Sequence, residues 1–145
     1  MKTIELPASI EQLAYINDNL RECMTGKLAP LLLKTQLVVE ELLANISSYA
    51  YDGSAGVVEF SCGSVTFDGK HFLRISFLDH GKPFDPFSVN LDLHASDSID
   101  DRPIGGLGIH FVKTLSTHYM YSRFSDTNAV DILIDASDCN KSNEK

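Results

Sequence analysis

The sequence is poor in basic residues and has no long apolar run, and both shortages exclude classes of function. Its 145 residues include 12 Lys and Arg against 20 Asp and Glu, so the formal net charge is −8. An acidic chain is a poor general binder of polyanions, so nucleic acid and anionic membranes are not expected partners. No apolar run approaches the roughly 18 residues of a membrane-spanning helix, and residues 1–5 lack the apolar stretch of a signal peptide. We therefore expect a cytoplasmic protein.

Cysteine is also scarce. Cys23, Cys62 and Cys139 are odd in number and far apart along the chain. This spacing argues against a disulfide framework or a zinc site and is typical of a reducing cytoplasm. The five histidines show no metal-ligand spacing with acids or cysteines, so we expect surface or structural roles for them.

The pattern of apolar and turn residues predicts one domain with both helices and strands. We expect a single domain over residues 1–135 and a polar tail over residues 136–145. The predicted fold is an α/β two-layer sandwich of the α+β class, with a mixed, largely antiparallel sheet and helices on one face. The periodicity predicts strands at 2–6, 57–67, 71–78, 118–124 and 129–135, helices starting at Ser9 and near Leu28 and spanning 107–116, and a long loop at 80–102.

One helical stretch, residues 37–51, carries two polar side chains that do not suit a core helix. Glu41 and Asn45 are four residues apart, so they share a helical face. The apolar stripe that begins with Val39 and Leu43 lies on a different side and predicts the packed face. A carboxylate can take up a proton, and an amide oxygen can bind a hard cation such as Mg²⁺. The alternative is an ordinary solvated polar face.

A glycine cluster opens the next predicted helix. Gly105, Gly106 and Gly108 surround Leu107, and such a run lets the backbone approach a ligand closely. The first amides of a helix are unpaired and its dipole favours anions, so phosphate is the candidate ligand. Plain turn chemistry is the alternative. The run is neither a P-loop nor a dinucleotide fingerprint, because no Lys-Ser or Lys-Thr follows it and a loop precedes it.

A third motif follows the predicted strand 71–78. Asp79 at the end of a buried strand is costly without a partner, and its carboxylate could accept a hydrogen bond from the amino group of a base. Gly81 would leave room for a flat ring, and Phe84 could pack near that ring or anchor the loop. The alternative is a simple Asp-x-Gly turn that ends the strand.

The three motifs in this order resemble the ATP-binding domain of the GHKL superfamily. A helix with Glu-x-x-x-Asn, a strand ending in Asp-x-Gly-x-Pro-Phe-Asp-Pro, a variable loop and Gly-Gly-Leu-Gly-Ile before a helix make up the pattern. The resemblance covers about residues 3–135 and is strongest to the bacterial anti-sigma factor serine/threonine kinases. It implies the GHKL histidine-kinase-like ATPase fold, with ATP and Mg²⁺ as ligands.

The resemblance also implies roles for the matching residues. Asn45 would bind Mg²⁺ and Glu41 would be the catalytic base. Asp79, with Gly81 beside it, would recognise the adenine amino group. The phosphates would be held by the first amides of the last helix, at Gly106, Leu107 and Gly108, and the loop 80–102 would be the ATP lid.

The function that the resemblance implies is an ATP-dependent serine/threonine protein kinase that acts as an anti-sigma factor. Its partners would be a STAS-type anti-anti-sigma factor, which it phosphorylates, and a sigma factor; a homodimer is expected from the resemblance alone. The chain departs from the family pattern at the glycine cluster, because no basic residue stands between Gly105 and Leu107, where the family often has one. Arg102 is the nearest basic residue that could replace this charge. The alternative is therefore a module that binds ATP or ADP and regulates a partner without phosphotransfer. A sensor histidine kinase is disfavoured, since no long helical hairpin with a phospho-accepting histidine precedes the domain.

Overall fold

The computed structural model describes residues 2–88 and 106–137. Within these ranges the chain forms five strands, three α-helices and several short helical turns. The strands are β1 Lys2–Pro7, β2 Val57–Phe67, β3 Lys70–Asp79, β4 His118–Phe124 and β5 Thr127–Asp135. The α-helices are α1 Leu13–Cys23, α2 Leu32–Asn45 and α3 Gly106–Leu115.

The strands form one sheet in the order β1-β2-β3-β5-β4, and all four described strand pairs are antiparallel. Alternate residues of β3 are fully buried, namely Leu73, Ile75 and Phe77. Their register partners Phe60 and Ile132 lie on the same face, and these side chains form one core with the buried residues of the helices. The predicted two-layer sandwich with a largely antiparallel sheet and helices on one face is confirmed.

The hairpin predicted at Asp68-Gly69 is also confirmed. Both residues have positive φ angles, 52° and 74°, as a two-residue hairpin turn requires. The turn between β4 and β5 uses Ser125, whose φ angle is 56°. Because a two-residue loop fixes the pairing, these turns set which β2 and β5 residues face the helices.

The long helix predicted from Leu28 to Tyr51 has three parts. A 3₁₀ turn, Gly26–Leu31, contains Pro30, the α-helix α2 follows, and a wider π-type turn, Ile46–Ala50, continues it. The apolar stripe predicted to pack is buried throughout, at Val39, Leu43, Ile46 and Ala50. A π-type turn inserts one extra residue and is frequent at functional sites. Here it begins directly after Asn45.

Two predictions fall partly outside the described residues. The short 3₁₀ turn Pro86–Ser88 lies where a helix was predicted near residues 87–93, and the rest of that stretch is outside. Most of the predicted lid, with Arg102, is outside as well. Ala136, the first residue of the predicted tail, is buried and donates its amide hydrogen to His71 O at 3.0 Å, and the tail beyond residue 137 lies outside the described residues. None of the helices in the described ranges is long and apolar enough to cross a membrane.

Candidate functional site

Asn45 ends α2 and is almost fully buried. Its Nδ2 donates to the backbone oxygen of Glu41 at 2.7 Å. Because the amide nitrogen is held by a carbonyl, the other atom of the amide, Oδ1, must point away from it. No donor within residues 2–88 and 106–137 bonds this Oδ1. The side chain therefore offers a fixed oxygen of the kind that Mg²⁺ prefers.

Glu41 lies one helical turn before Asn45, and its carboxylate rests against Gly108 of α3. A Cβ atom added at Gly108 would lie only 1.7 Å from Glu41 Oε2. In this position the carboxylate leaves no room for a Cβ atom at residue 108, so a larger residue there would displace the Glu41 side chain. Because α3 begins at Gly106, the carboxylate lies beside the first helical turn, which Gly106, Leu107 and Gly108 form and where backbone amides lack helical partners.

The surroundings of Glu41 favour its protonated form. Burial raises the pKa of the half-buried carboxyl group, and the neighbouring carboxylate of Glu40 raises it further. A general base works best when its pKa approaches the operating pH. The shift is therefore in the direction that a proton-accepting role requires.

Asp79 ends β3 and is almost fully buried. Its Oδ1 accepts hydrogen bonds from the amide of Gly81 and from Nδ2 of Asn128, both at 2.9 Å. No hydrogen bond to Oδ2 exists among the described residues. The hydrogen bonds to Oδ1 thus orient the carboxylate, and Oδ2 remains available to accept a hydrogen bond from a ligand. Recognition of an adenine amino group would need such an acceptor.

Asn128 orients this carboxylate, a role that none of the sequence motifs predicts. It is buried in β5, where its Nδ2 also donates to Lys82 O at 2.8 Å. Its Oδ1 accepts from the hydroxyl of Tyr121 at 2.5 Å. No local pattern predicts this role, because residues 125–128 have the composition of a polar turn before a strand predicted to start at Ala129. All hydrogen-bonding groups of the Asn128 amide are engaged, so its position is fixed.

Replacing Asn128 by Ala is expected to lower ADP affinity by roughly threefold to tenfold. The change removes one of the two donors that orient Asp79, while the amide of Gly81 remains. Tyr121→Phe, which removes only the hydroxyl behind Asn128, should have a smaller effect. Calorimetric titration of ADP into both folded variants compares the two losses of affinity. A larger loss in Tyr121→Phe than in Asn128→Ala would contradict the role given to Asn128.

The loop after Asp79 is held tightly against the end of the α2 segment. A Cβ atom at Gly81 would lie 2.4 Å from the backbone oxygen of Ala50, so only glycine fits there. The same oxygen accepts the amide hydrogen of Lys82 at 2.9 Å. On the other side, Arg123 Nη1 donates to Gly81 O at 2.7 Å. The site residue Gly81 therefore joins the sheet edge to the helix layer.

Phe84 packs against the helical segment, as the anchoring role predicts. Its ring stacks on Tyr49, with ring centroids 5.0 Å apart and an angle of 21° between the planes. Tyr49 belongs to the π-type turn after Asn45. Phe84 therefore anchors the loop to the helical segment.

These contacts place the candidate residues in order along one helical segment. Glu41 contacts Gly108, Asn45 follows one turn later, and Ala50 contacts Gly81 beside Asp79. Ala50 is nine positions after Glu41, which corresponds to about 13 Å of helical rise. That length suits an extended nucleoside triphosphate with its base near Asp79, its metal near Asn45 and its phosphates near α3. The residues present thus fit ATP and Mg²⁺.

Comparison with known proteins identifies the family of this fold. A family profile described as the histidine kinase-like ATPase domain matches residues 6–134. A search of curated proteins found no match. Among solved structures, the chain is similar to the histidine kinase domain from the Erythrobacter litoralis EL346 blue-light activated histidine kinase, with 18% identity and a TM-score of 0.52. The likeness covers 94% of this chain and 64% of that one, and at this identity it shows the fold alone. With the family profile spanning most of its length, the chain belongs to the histidine kinase-like ATPase domain family and is an ATP-binding GHKL module.

Proposed function

We propose that the protein is an ATP-dependent serine/threonine protein kinase and anti-sigma factor of the cytoplasm. Its substrate would be the serine or threonine of a STAS-type anti-anti-sigma partner, and a sigma factor would be its second partner. The observation that carries the proposal is the position of Glu41, where an exposed apolar surface meets the nucleotide site.

This surface supports a protein as the phosphate acceptor. Leu33 and Leu37 precede Glu41 at intervals of four residues, so all three lie on one face of α2. Leu33 is 71% exposed, Leu37 is 50% exposed, and Phe111 of α3 is 59% exposed. Leu37 and Phe111 line, with Glu41, a groove of about 170 Å³ between the two helices. A protein partner that covers these apolar side chains could present its hydroxyl group to Glu41.

Each site residue has a defined task in this reaction. Asp79 would accept a hydrogen bond from adenine, Asn45 would hold Mg²⁺, and the first amides of α3 would bind phosphate oxygens. When bound at Asn45, Mg²⁺ would supply positive charge against the phosphates. The partner hydroxyl oxygen forms a bond to the γ-phosphorus while the bond to the bridging oxygen of ADP breaks. Glu41 takes the hydroxyl proton, and positioning accounts for most of the catalysis in such transfers.

The test is transfer of ³²P from γ-labelled ATP to a STAS-domain protein from the same genome. We expect acid-stable label on a serine or threonine, and no label when that residue is replaced by Ala. Acid-labile label on a histidine would contradict serine/threonine specificity.

The absence of a basic residue between Gly105 and Leu107 favours a second candidate, a regulatory module that binds ATP or ADP. That candidate predicts nucleotide binding with no transfer.

Asn45→Ala is expected to weaken binding of Mg·ATP far more than binding of metal-free ATP. The variant removes the fixed amide oxygen, so the loss should depend on the metal. Titrations with Mg²⁺ and with EDTA give the comparison, and Ser48→Ala, an exposed position three residues later, is the matched control. Equal losses under both conditions would mean that Asn45 has only a structural role.

A further inference from the structure

Two of the three cysteines lie side by side, although 39 positions separate them in sequence. The Sγ atoms of Cys23 and Cys62 are 2.7 Å apart. A disulfide bond is about 2.05 Å long, so less than about 1 Å of sulfur movement would close it. The sequence spacing argues against a disulfide framework, which the two free thiols do not contradict, but it does not reveal the proximity of this pair. Sequence distance hid it, because the pair joins the helix layer to the sheet.

Regular structure holds both residues in place. Cys23 is the last residue of α1, and Cys62 lies within β2, where it pairs with Lys2 and Ile75 on the two neighbouring strands. Both cysteines are free thiols. Neither side chain needs a loop rearrangement to meet the other. The pair is therefore arranged for bond formation by the fold itself.

The two thiols differ in accessibility. Cys62 is buried and Cys23 is partly exposed. Burial, followed by the hydrogen bond to Cys23, raises the pKa of the Cys62 thiol well above its usual range. Because Cys23 is the more accessible of the two, an oxidant from solvent meets Cys23 first. Cys62 is then the neighbouring thiol that can form a disulfide bond with the oxidised Cys23.

We propose that Cys23 and Cys62 are an oxidation site. Glutathione disulfide oxidises the two thiols, and a reversible disulfide forms between Cys23 and Cys62. The Cys23 thiolate attacks one glutathione sulfur, the glutathione S–S bond breaks, and one glutathione leaves with the proton from Cys23. Cys62 then loses its proton and attacks the Cys23 sulfur, and the second glutathione leaves. Both cysteines are oxidised, and one glutathione disulfide is reduced to two thiols.

The bond would tie α1 to β2, and so the helix layer to the sheet. It would close a loop of about 39 residues and restrict the unfolded chain. For a domain of this size we expect the oxidised protein to melt about 10 °C above the reduced protein. This expectation does not depend on the kinase proposal, because it concerns only the two thiols and the fold.

The test uses the full chain with Cys139 replaced by Ser, so that only these two thiols remain. After treatment with glutathione disulfide, we expect the thiol count to fall from two to none. The intact mass should drop by two hydrogen atoms, and digestion should link the peptides that contain Cys23 and Cys62. Dithiothreitol should restore both thiols and the lower melting temperature. Two thiols that persist in the treated protein, or linkage between chains on a non-reducing gel, would overturn the proposal.

A second variant tests the order of attack. Cys62→Ala, chosen because it leaves no buried hydroxyl, should stop at one glutathione attached to Cys23. Cys23→Ala should leave Cys62 unmodified, because its thiol is buried. Rapid modification of Cys62 in Cys23→Ala would contradict the assigned order, and a stable single adduct in the two-thiol protein would contradict disulfide formation.

Discussion

Replacing Glu41 by Gln should lower phosphoryl transfer to the partner protein by about a hundredfold to ten-thousandfold, while ATP affinity stays nearly normal. Glutamine keeps the size of the side chain and its place against Gly108, but it cannot accept the hydroxyl proton. The nucleotide contacts at Asp79 and Asn45 are untouched. Rates with ³²P-labelled ATP and calorimetric ADP affinities, measured on the same preparations, separate the two effects. Transfer that survives intact in this variant would remove Glu41 from the reaction.

The stability of the Glu41→Gln variant provides the control for misfolding. The folded-state pKa of Glu41 is raised above its unfolded value near 4.5, so the folded protein binds this proton more tightly. The resulting stability is present below the unfolded pKa and is lost as pH rises through the folded pKa. At pH 7 the variant should therefore be slightly more stable than wild type, by less than about 1 kcal/mol because solvent screens the half-buried group. At pH 4 or below the two proteins should be equal, and lower stability of the variant at pH 7 would contradict this account.

Asp79→Asn is expected to weaken ADP binding by roughly tenfold to a hundredfold. The variant can keep Oδ1 as the acceptor for Gly81 and Asn128, which places its new amide nitrogen where Oδ2 was. That nitrogen would face the adenine amino group donor to donor. An unpaired buried polar contact costs about 1–3 kcal/mol, which gives the stated loss of affinity.

Asp79→Asn must be folded for the comparison to be valid. Because the Oδ1 contacts can persist, we expect a melting temperature close to that of wild type. Circular dichroism and thermal melting check this before titration. Normal ADP affinity in a folded Asp79→Asn protein would mean that the cleft beside Gly81 does not hold adenine.

The sequence was sufficient to predict those parts of the molecule that depend on local patterns. Alternation at Leu73, Ile75 and Phe77 predicts the buried face of β3, and Asp68-Gly69 predicts its hairpin because only a few residues adopt positive φ easily. Motif spacing also singled out Glu41, Asn45 and Asp79. Their contacts with Gly108, Glu41 O and Gly81 are consistent with the predicted roles.

Features that depend on distant contacts could not be predicted. Asn128 reaches Asp79 from 49 positions away, and only the β3–β5 register brings them together. The π-type turn after Asn45 has the same apolar spacing as an ordinary helix, so periodicity does not distinguish the two. The close approach of Gly81 to Ala50 arises where the loop meets this turn. Contacts between residues far apart in the chain cannot be predicted from local sequence patterns.

Discrimination between ADP and IDP by the wild-type protein tests the adenine site most directly. The two nucleotides share ribose and phosphates, but IDP carries a carbonyl oxygen where ADP has the amino group. With Asp79 Oδ2 as the acceptor, we expect ADP to bind at least about tenfold to a hundredfold more tightly than IDP. Calorimetric titration in the presence of Mg²⁺ measures both affinities. Equal affinity for ADP and IDP would contradict the assignment of this cleft as an adenine-recognising ATP site.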